Sequence, residues 1–322
     1  MREQFKPPLT RPQDFSAFWR STRLQLEQMD PKVQLDSAME GATPHVGGEI
    51  VSFLSLGHVR ISGYFLRWLD ARPRPLVISS HGYGNHCRPR WDWARQGVNV
   101  LSIDIRGFGI SRAALPTPSR WGYVLTGIET PETSVIRAAV CDYMQGARIG
   151  HELCEDRTSK IVFEGVSFSG GLALMSQAIL GLADLLAIGV PTFGWAEGRN
   201  LFVKSGSGAE ISQYLARRPD HVEDTMVVLR YFDAVNFADQ VNCPVVLALG
   251  LKDEVVPAKT VYAIANHLQV PYELLEFPVS HSDGPEQQQW NQFESYWMRL
   301  ALEGLPAQFG SRKAFTSGPP PD

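Results

Sequence analysis

Between Lys160 and Leu174 the chain reads KIVFEGVSFSGGLAL, an apolar run that enters a Gly/Ser cluster and leaves it as a helical pattern. This stretch restricts the fold more than any other. A strand through Ile161–Phe163 must turn within a few residues into a helix that begins around Gly170-Gly171-Leu172. So abrupt a turn forces strained backbone angles on Ser167 at its apex and brings strand and helix close together. Only small residues fit beside the apex, and Gly165, Ser169 and Gly170 occupy those positions. A turn of this kind raises a serine hydroxyl beyond the strand ends as a nucleophile. A phosphate cradle is the competing use of a Gly/Ser-rich strand-to-helix turn. No Lys-Ser/Thr pair follows here, and nothing resembles G-x-G-x-x-G with an acidic partner downstream. Ser169 is the rival nucleophile, with Ser167 and Gly171 as its small neighbours, but the apolar run stops before Gly165 and so places the apex at Ser167.

The rest of the chain supplies the sheet that such a turn needs. Apolar runs suited to strands buried on both faces occur at Leu76–Ser79, Val98–Ile105, Ile161–Phe163, Leu185–Val190 and Val245–Leu249, with a more mixed one at Tyr272–Phe277. Helical patterns at Glu132–Gln145, Leu172–Leu182, Pro257–Leu268 and Glu286–Leu300 alternate with them. This alternation predicts an α/β fold, a mostly parallel central sheet with helices on both faces. Upstream, Gln13–Met29 reads as a helix with Phe15, Phe18, Trp19, Leu24 and Leu26 on its apolar side. Ile50–Leu56 and Val59–Trp68 read as a hairpin joined at Gly57-His58. Residues 1–304 are expected to form a single domain, and the Pro/Gly-rich residues 305–322 a disordered tail.

Composition narrows the function classes. A net charge of −4 gives no basic field for nucleic acid, and no apolar run reaches the length of a membrane span. The four cysteines, Cys87, Cys141, Cys154 and Cys243, lack the CxxC spacing of a zinc site or a disulfide framework. Free buried thiols in a reducing compartment are the expectation, and with an N-terminus that has no apolar h-region the reading is cytoplasmic.

Ligands of open α/β sheets sit beyond the carboxyl ends of the strands, so the strand-end loops carry the candidate chemistry. The first is His81-Gly82-Tyr83-Gly84. In a loop of this type a backbone N–H helps hold a tetrahedral oxyanion, the second donor being the N–H after the nucleophile; here these are Tyr83 and Phe168. Arg106, in the next loop, is read as pinning neighbouring loop carbonyls rather than binding substrate. Asp253 follows the strand Val245–Leu249, with Glu254 ranked second as the acid, and His281 follows the strand through Phe277. Ser167, Asp253 and His281 thus fall in the order Ser…Asp…His at three strand ends. A serine hydroxyl needs an imidazole to take its proton, and the imidazole needs a carboxylate to fix its tautomer. His267 lies in a helical pattern and His86-Cys87 follows the first loop; neither has a spaced metal-ligand partner, and both are read as structural.

With these residues the chain resembles the acetyl xylan esterase/cephalosporin-C deacetylase family of α/β-hydrolases. The likeness runs from PQDFSAFW to about Leu300. The family's HGY loop is His81-Gly82-Tyr83, its Arg-Gly-Gln-Gly motif appears as Arg106-Gly107-Phe108-Gly109, and its Gly-x-Ser-Gln-Gly elbow appears as Gly165-Val166-Ser167-Phe168-Ser169. Trp121-Gly122-Tyr123, Thr126-Gly127-Ile128, YFDAVNFA from Tyr231 and PAKTVYAIANHL from Pro257 are further family-like segments. The departures are Phe108 and Phe168 in place of Gln, Ser169 in place of Gly, and His281-Ser282 in place of His-Glu. The two phenylalanines make the surroundings more apolar and are expected to alter which ester is accepted. The resemblance implies an α/β-hydrolase fold and a serine esterase without metal or organic cofactor. It implies removal of acetyl groups from sugars or related small alcohols, with Tyr83 helping to wall a short acyl pocket. It also implies a homo-oligomer, often a hexamer among relatives. Longer acyl esters, lactones or peptides, and a non-catalytic binding role, are the alternatives.

Overall fold

Apolar runs that bury both faces can lie side by side only when their connections pass above and below the sheet, and the computed structural model has this arrangement. It describes residues 4–203, 205–281, 288–310 and 312–314. Ten strands among them form one sheet: β1 (Gln34–Ala38), β2 (Val46–Ser55), β3 (Val59–Trp68), β4 (Arg74–Ser79), β5 (Asn99–Asp104), β6 (Thr158–Val166), β7 (Leu185–Gly189), β8 (Val245–Gly250), β9 (Tyr272–Phe277) and β10 (Arg312–Ala314). Their spatial order is β1-β2-β3-β5-β4-β6-β7-β8-β9-β10. Every pair from β5 to β10 is parallel, while β1, β2 and β3 pair antiparallel and β3 meets β5 antiparallel.

Strand alternation sorts the core into two layers. Along β6, Ile161 and Phe163 face one cluster, with Phe53, Phe65 and Tyr143, beneath the helices Val135–Cys154 and Phe168–Leu180. Val162 faces the other, with Val77, Trp93, Phe293 and Trp297, beneath Trp91–Ala94 and Gln288–Glu303. The hairpin turns through Gly57 and His58, both at positive φ (79° and 57°), which suits the twist of its strands. β1 and β10, absent from the apolar pattern, add to the two sheet edges. β10 lies in the stretch expected to be disordered; residues 315–322 of that stretch are outside the described residues.

The N-terminal helix forms over Phe15–Glu27 and buries Phe15, Phe18, Trp19 and Leu26. Leu24, expected on the same side, is exposed. At the α-helical period it falls on the face opposite Phe15 and Leu26. The buried face meets the YFDAVNFA run. Phe15 packs on Phe237, Phe18 on Tyr231 and Trp19 on Phe232, and the Trp19 indole N–H donates to the Tyr231 carbonyl at 3.0 Å. Between β7 and β8 the chain makes an excursion that the periodicity did not reveal, with helices Ala196–Phe202, Gly206–Arg217 and Val222–Arg230. Among the described residues no helix is long and apolar enough to cross a membrane, and all four cysteines are free and buried.

Candidate active site

Ser167 follows β6 directly and precedes the helix Phe168–Leu180, with φ 63° and ψ −115°. Such angles cost on the order of 1–3 kcal/mol and persist only where neighbours over-determine them. Here the Ser167 N–H donates to the Gly189 carbonyl at 2.8 Å. The Ser167 carbonyl accepts from Thr192 and Gly171 at 3.0 and 3.1 Å. A Cβ at Gly165 would overlap the Ser169 carbonyl group, so the expected small residue is required there. The Ser169 hydroxyl is held by both backbone groups of Val166, the N–H at 3.0 Å and the C=O at 3.1 Å. That is why serine fits where glycine was expected, and why this hydroxyl is already occupied. The Ser167 hydroxyl lies 3.4 Å from that of Thr192.

Asp253 follows β8 and His281 follows β9. His281 Nδ1 is 2.9 Å from Asp253 Oδ2. Asp253 Oδ1 accepts from the Val255 and Val256 N–H groups, each at 2.8 Å. The carboxylate side chain is fully buried, so three hydrogen bonds fix it against the imidazole. Ser167 and His281 line one pocket of about 590 Å³, with Gly82, Tyr83 and Val255. Glu254, ranked second as the acid, is exposed and does not line it. Ser282 lies outside the described residues.

The loop after β4 is framed by His81. Its Nε2 accepts the Ile105 N–H at 3.1 Å, so Nδ1 carries the proton toward the Gly82 carbonyl at 2.9 Å. Burial lowers the pKa of this ring and keeps it neutral. Among the described residues, neither the Tyr83 nor the Phe168 N–H donates to a protein acceptor. The Tyr83 hydroxyl meets both carboxylate oxygens of Glu210 at 2.7 Å. Burial raises the pKa of both groups.

Arg106 does not line the pocket shared by Ser167 and His281. Its guanidinium grips Asp142 at 2.7 and 2.9 Å and donates to the Leu56 carbonyl at 3.0 Å. The expected pinning role therefore extends to a buried ion pair. His267 is buried in the turn just past the helix Ala258–Ala265, which ends short of the expected Leu268, with Nδ1 2.7 Å from the Ala263 carbonyl, and His86 is exposed.

The two phenylalanines pack against Tyr83 of the loop after β4. Phe168 is fully buried, and its ring packs 5.6 Å from Tyr83, 5.8 Å from Phe193 and 6.3 Å from Phe108. Neither Phe168 nor Phe108 lines the pocket. The Phe168 ring lies among residues of the strand-end loops, His81 and Tyr83 after β4, Phe108 after β5 and Phe193 after β7.

Sequence reasoning missed three polar or aromatic neighbours. Glu164 on β6 accepts from the Ser79 hydroxyl at 2.7 Å and lines the pocket, and burial pushes its pKa up to about 7. An acid inside the buried run KIVFEG was the legible signal. Trp290 and Glu210 had none, because both sit in helices whose patterns look like ordinary amphipathic faces.

A strained serine turn after a central parallel strand, with an acid and an imidazole at later strand ends, is the architecture of an α/β-hydrolase. The chain belongs to the acetyl xylan esterase (AXE1) family, whose model matches residues 2–299. It is 21% identical over 290 residues to the acetyl esterase Axe7A of Xylanibacter ruminicola, covering 86% of this chain. The match spans 65% of that curated relative's length. Among solved structures it is similar to the acetyl xylan esterase from Paenibacillus sp. R4, at 25% identity and TM-score 0.81 over 91% of this chain and 98% of the other. Acetyl xylan esterase 1 from Thermoanaerobacterium sp. JW/SL YS485, at 19% identity and TM-score 0.84 over 93% and 97%, shares the fold.

Proposed function

We propose that this protein is a serine carboxylesterase that removes small acyl groups, acetyl above all, from acetylated sugars or related alcohols. The observation that carries the reading is the joint opening of the strained Ser167 and the Asp253-bound His281 onto one pocket. Family membership and the acetyl esterases it resembles support the acyl preference.

In this mechanism Ser167 Oγ attacks the ester carbonyl while His281 Nε2 takes its proton. Nδ1, engaged by Asp253, leaves Nε2 as the ring atom for that task. The carbonyl oxygen becomes an oxyanion held by the N–H groups of Tyr83 and Phe168. Collapse expels the alcohol, protonated by His281, and leaves acetyl-Ser167. Water, deprotonated by His281, then attacks the acyl-enzyme and releases acetate and the free serine.

Burst kinetics with p-nitrophenyl acetate test the reading. Turnover is expected to vanish in Ser167→Ala and to persist in Ser169→Ala, whose hydroxyl is tied to Val166. The reverse result would move the nucleophile to Ser169. Activity peaking well beyond acetate in a chain-length series would count against a deacetylase of the acetyl xylan or cephalosporin-C kind. The four unpaired thiols support a reducing, cytoplasmic setting. Family membership supports a homo-oligomer, up to a hexamer, which light scattering would size.

A further inference from the structure

The oxyanion loop has little of its own to hold it still. Tyr83 is flanked by Gly82 and Gly84, and a Cβ at either would meet no atom within 4 Å. Gly84 also stands at φ +73°. The loop is tied to the end of β5 at its margins, where His81 Nε2 accepts the Ile105 N–H at 3.1 Å and the Cys87 N–H donates to Asp104 Oδ1 at 2.6 Å. The bonds from the Asn85 N–H and the His81 ring to the Gly82 carbonyl close the turn and do not reach another element. The Tyr83 side chain does. Its ring sits edge-on between Phe168 and Tyr123, and its hydroxyl ends on the Glu210 carboxylate.

Glu210 comes from the helix Gly206–Arg217, in the excursion between β7 and β8. Besides Tyr83, its carboxylate accepts the Val124 N–H at 3.4 Å. Gly122, at φ +127°, faces it so closely that any Cβ there would overlap the carboxylate. Three separated stretches of chain thus converge on one acid: the loop after β4, the segment around Gly122–Val124, and the excursion helix.

From this convergence we infer that Glu210 is a positioning residue for the reaction, fixing Tyr83 so that its backbone N–H is aimed in advance at the developing oxyanion. The inference rests on the esterase reading of Ser167. Donors that need no reorganisation at the moment of reaction are worth far more than mobile ones. Between the anchors at His81 and Cys87, the stretch with two open glycines acquires that property through its tyrosine. The excursion helix consequently sets the oxyanion site as well as lying beside it: Ser205 and Gly206, at its start, line the same pocket.

The test uses the full chain, with p-nitrophenyl acetate turnover and the affinity of an alkylboronic acid, whose serine adduct is tetrahedral. Tyr83→Phe and Glu210→Ala should each lower kcat about tenfold and weaken boronate binding by a similar factor, with KM changed less than about threefold. The double variant should be no worse than its poorer parent, since the two side chains act as one unit. Glu210→Gln, which keeps an acceptor, should retain more activity than Glu210→Ala. Unchanged boronate affinity in both single variants, or losses that multiply in the double, would overturn the inference. Should Glu210→Ala fail to fold, Tyr83→Phe, which removes a single oxygen, carries the same test. Full turnover in Ser167→Ala would instead sink the esterase reading. An inert Ser167→Ala beside a fully active Glu210→Ala with parental boronate affinity would sink only the role of Glu210.

Discussion

The indole N–H of Trp290 donates to the main-chain carbonyl of His281 at 3.0 Å, and the indole ring stands edge-on to the imidazole with centroids 6.3 Å apart. The proposed base is therefore held from two sides, by Asp253 through its ring and by the helix Gln288–Glu303 through its backbone. Trp290→Phe keeps the ring face and removes the donor. It should lower kcat/KM by about three- to tenfold and stability by about 1 kcal/mol, while Ser167 remains reactive toward an organophosphonate. Steady-state kinetics beside a thermal melt check both; a loss of stability with unchanged kinetics would make Trp290 merely a packing residue.

Because Phe168 is fully buried among aromatic rings and absent from the pocket wall, Phe168→Gln should act on stability before specificity. Burying an amide where the ring had five aromatic neighbours is expected to cost about 2–4 kcal/mol. Chemical denaturation measures that cost. The ratio of activities on acetyl and butyryl esters should stay within about twofold of the parent; a large shift in that ratio would return Phe168 to the list of specificity residues.

Glu164 gives a pH signature. Burial raises its pKa to about 7 from an ordinary 4.5, with the nearby Arg90 pulling it down and Glu294 pushing it up. The folded state then holds a proton that the unfolded state has released, so this group makes stability fall as pH rises from about 4.5 through about 7. Glu164→Gln should match the parent near pH 5 and exceed it above pH 8, by at most about 3 kcal/mol. Denaturant midpoints across that range decide it, and an equal difference at every pH would mean that Glu164 does not titrate there.

The Arg106–Asp142 pair is buried and bidentate, so removing one partner strands the other charge. Asp142→Asn and Arg106→Met are each expected to cost about 3–5 kcal/mol. Combined, they should cost clearly less than the sum, because the double variant leaves no lone buried charge. Additive losses in a double-mutant cycle would argue that each residue acts through its other contact, Arg106 through the Leu56 carbonyl and Asp142 through the Arg106 main-chain N–H.

Much of the site was legible before any coordinates. Ser167, Asp253 and His281 each follow an apolar run, and the structure sets all three at carboxyl ends of parallel strands. The elbow could be read because its tightest steric exclusion is local: a Cβ at Gly165 would overlap Ser169 and Gly170, within five residues of Ser167. Apolar periodicity likewise placed β4 to β9, since each strand buries both faces whatever its neighbours are. It failed for Leu24, where counting apolar residues stood in for their angular position.

Spacing along the chain carries strands β2 to β9, the strained serine turn and the order of the candidate catalytic side chains. The tertiary structure decided who holds them. Glu210 reaches Tyr83 across 127 residues, and Asp142 reaches Arg106 across 36. Only folding gathers His81, Tyr83, Phe108, Tyr123 and Phe193 around Phe168. The physical reason is range: backbone strain and burial period act between near neighbours and leave a pattern. A hydrogen bond between distant segments depends on how whole elements pack, and no local spacing encodes it.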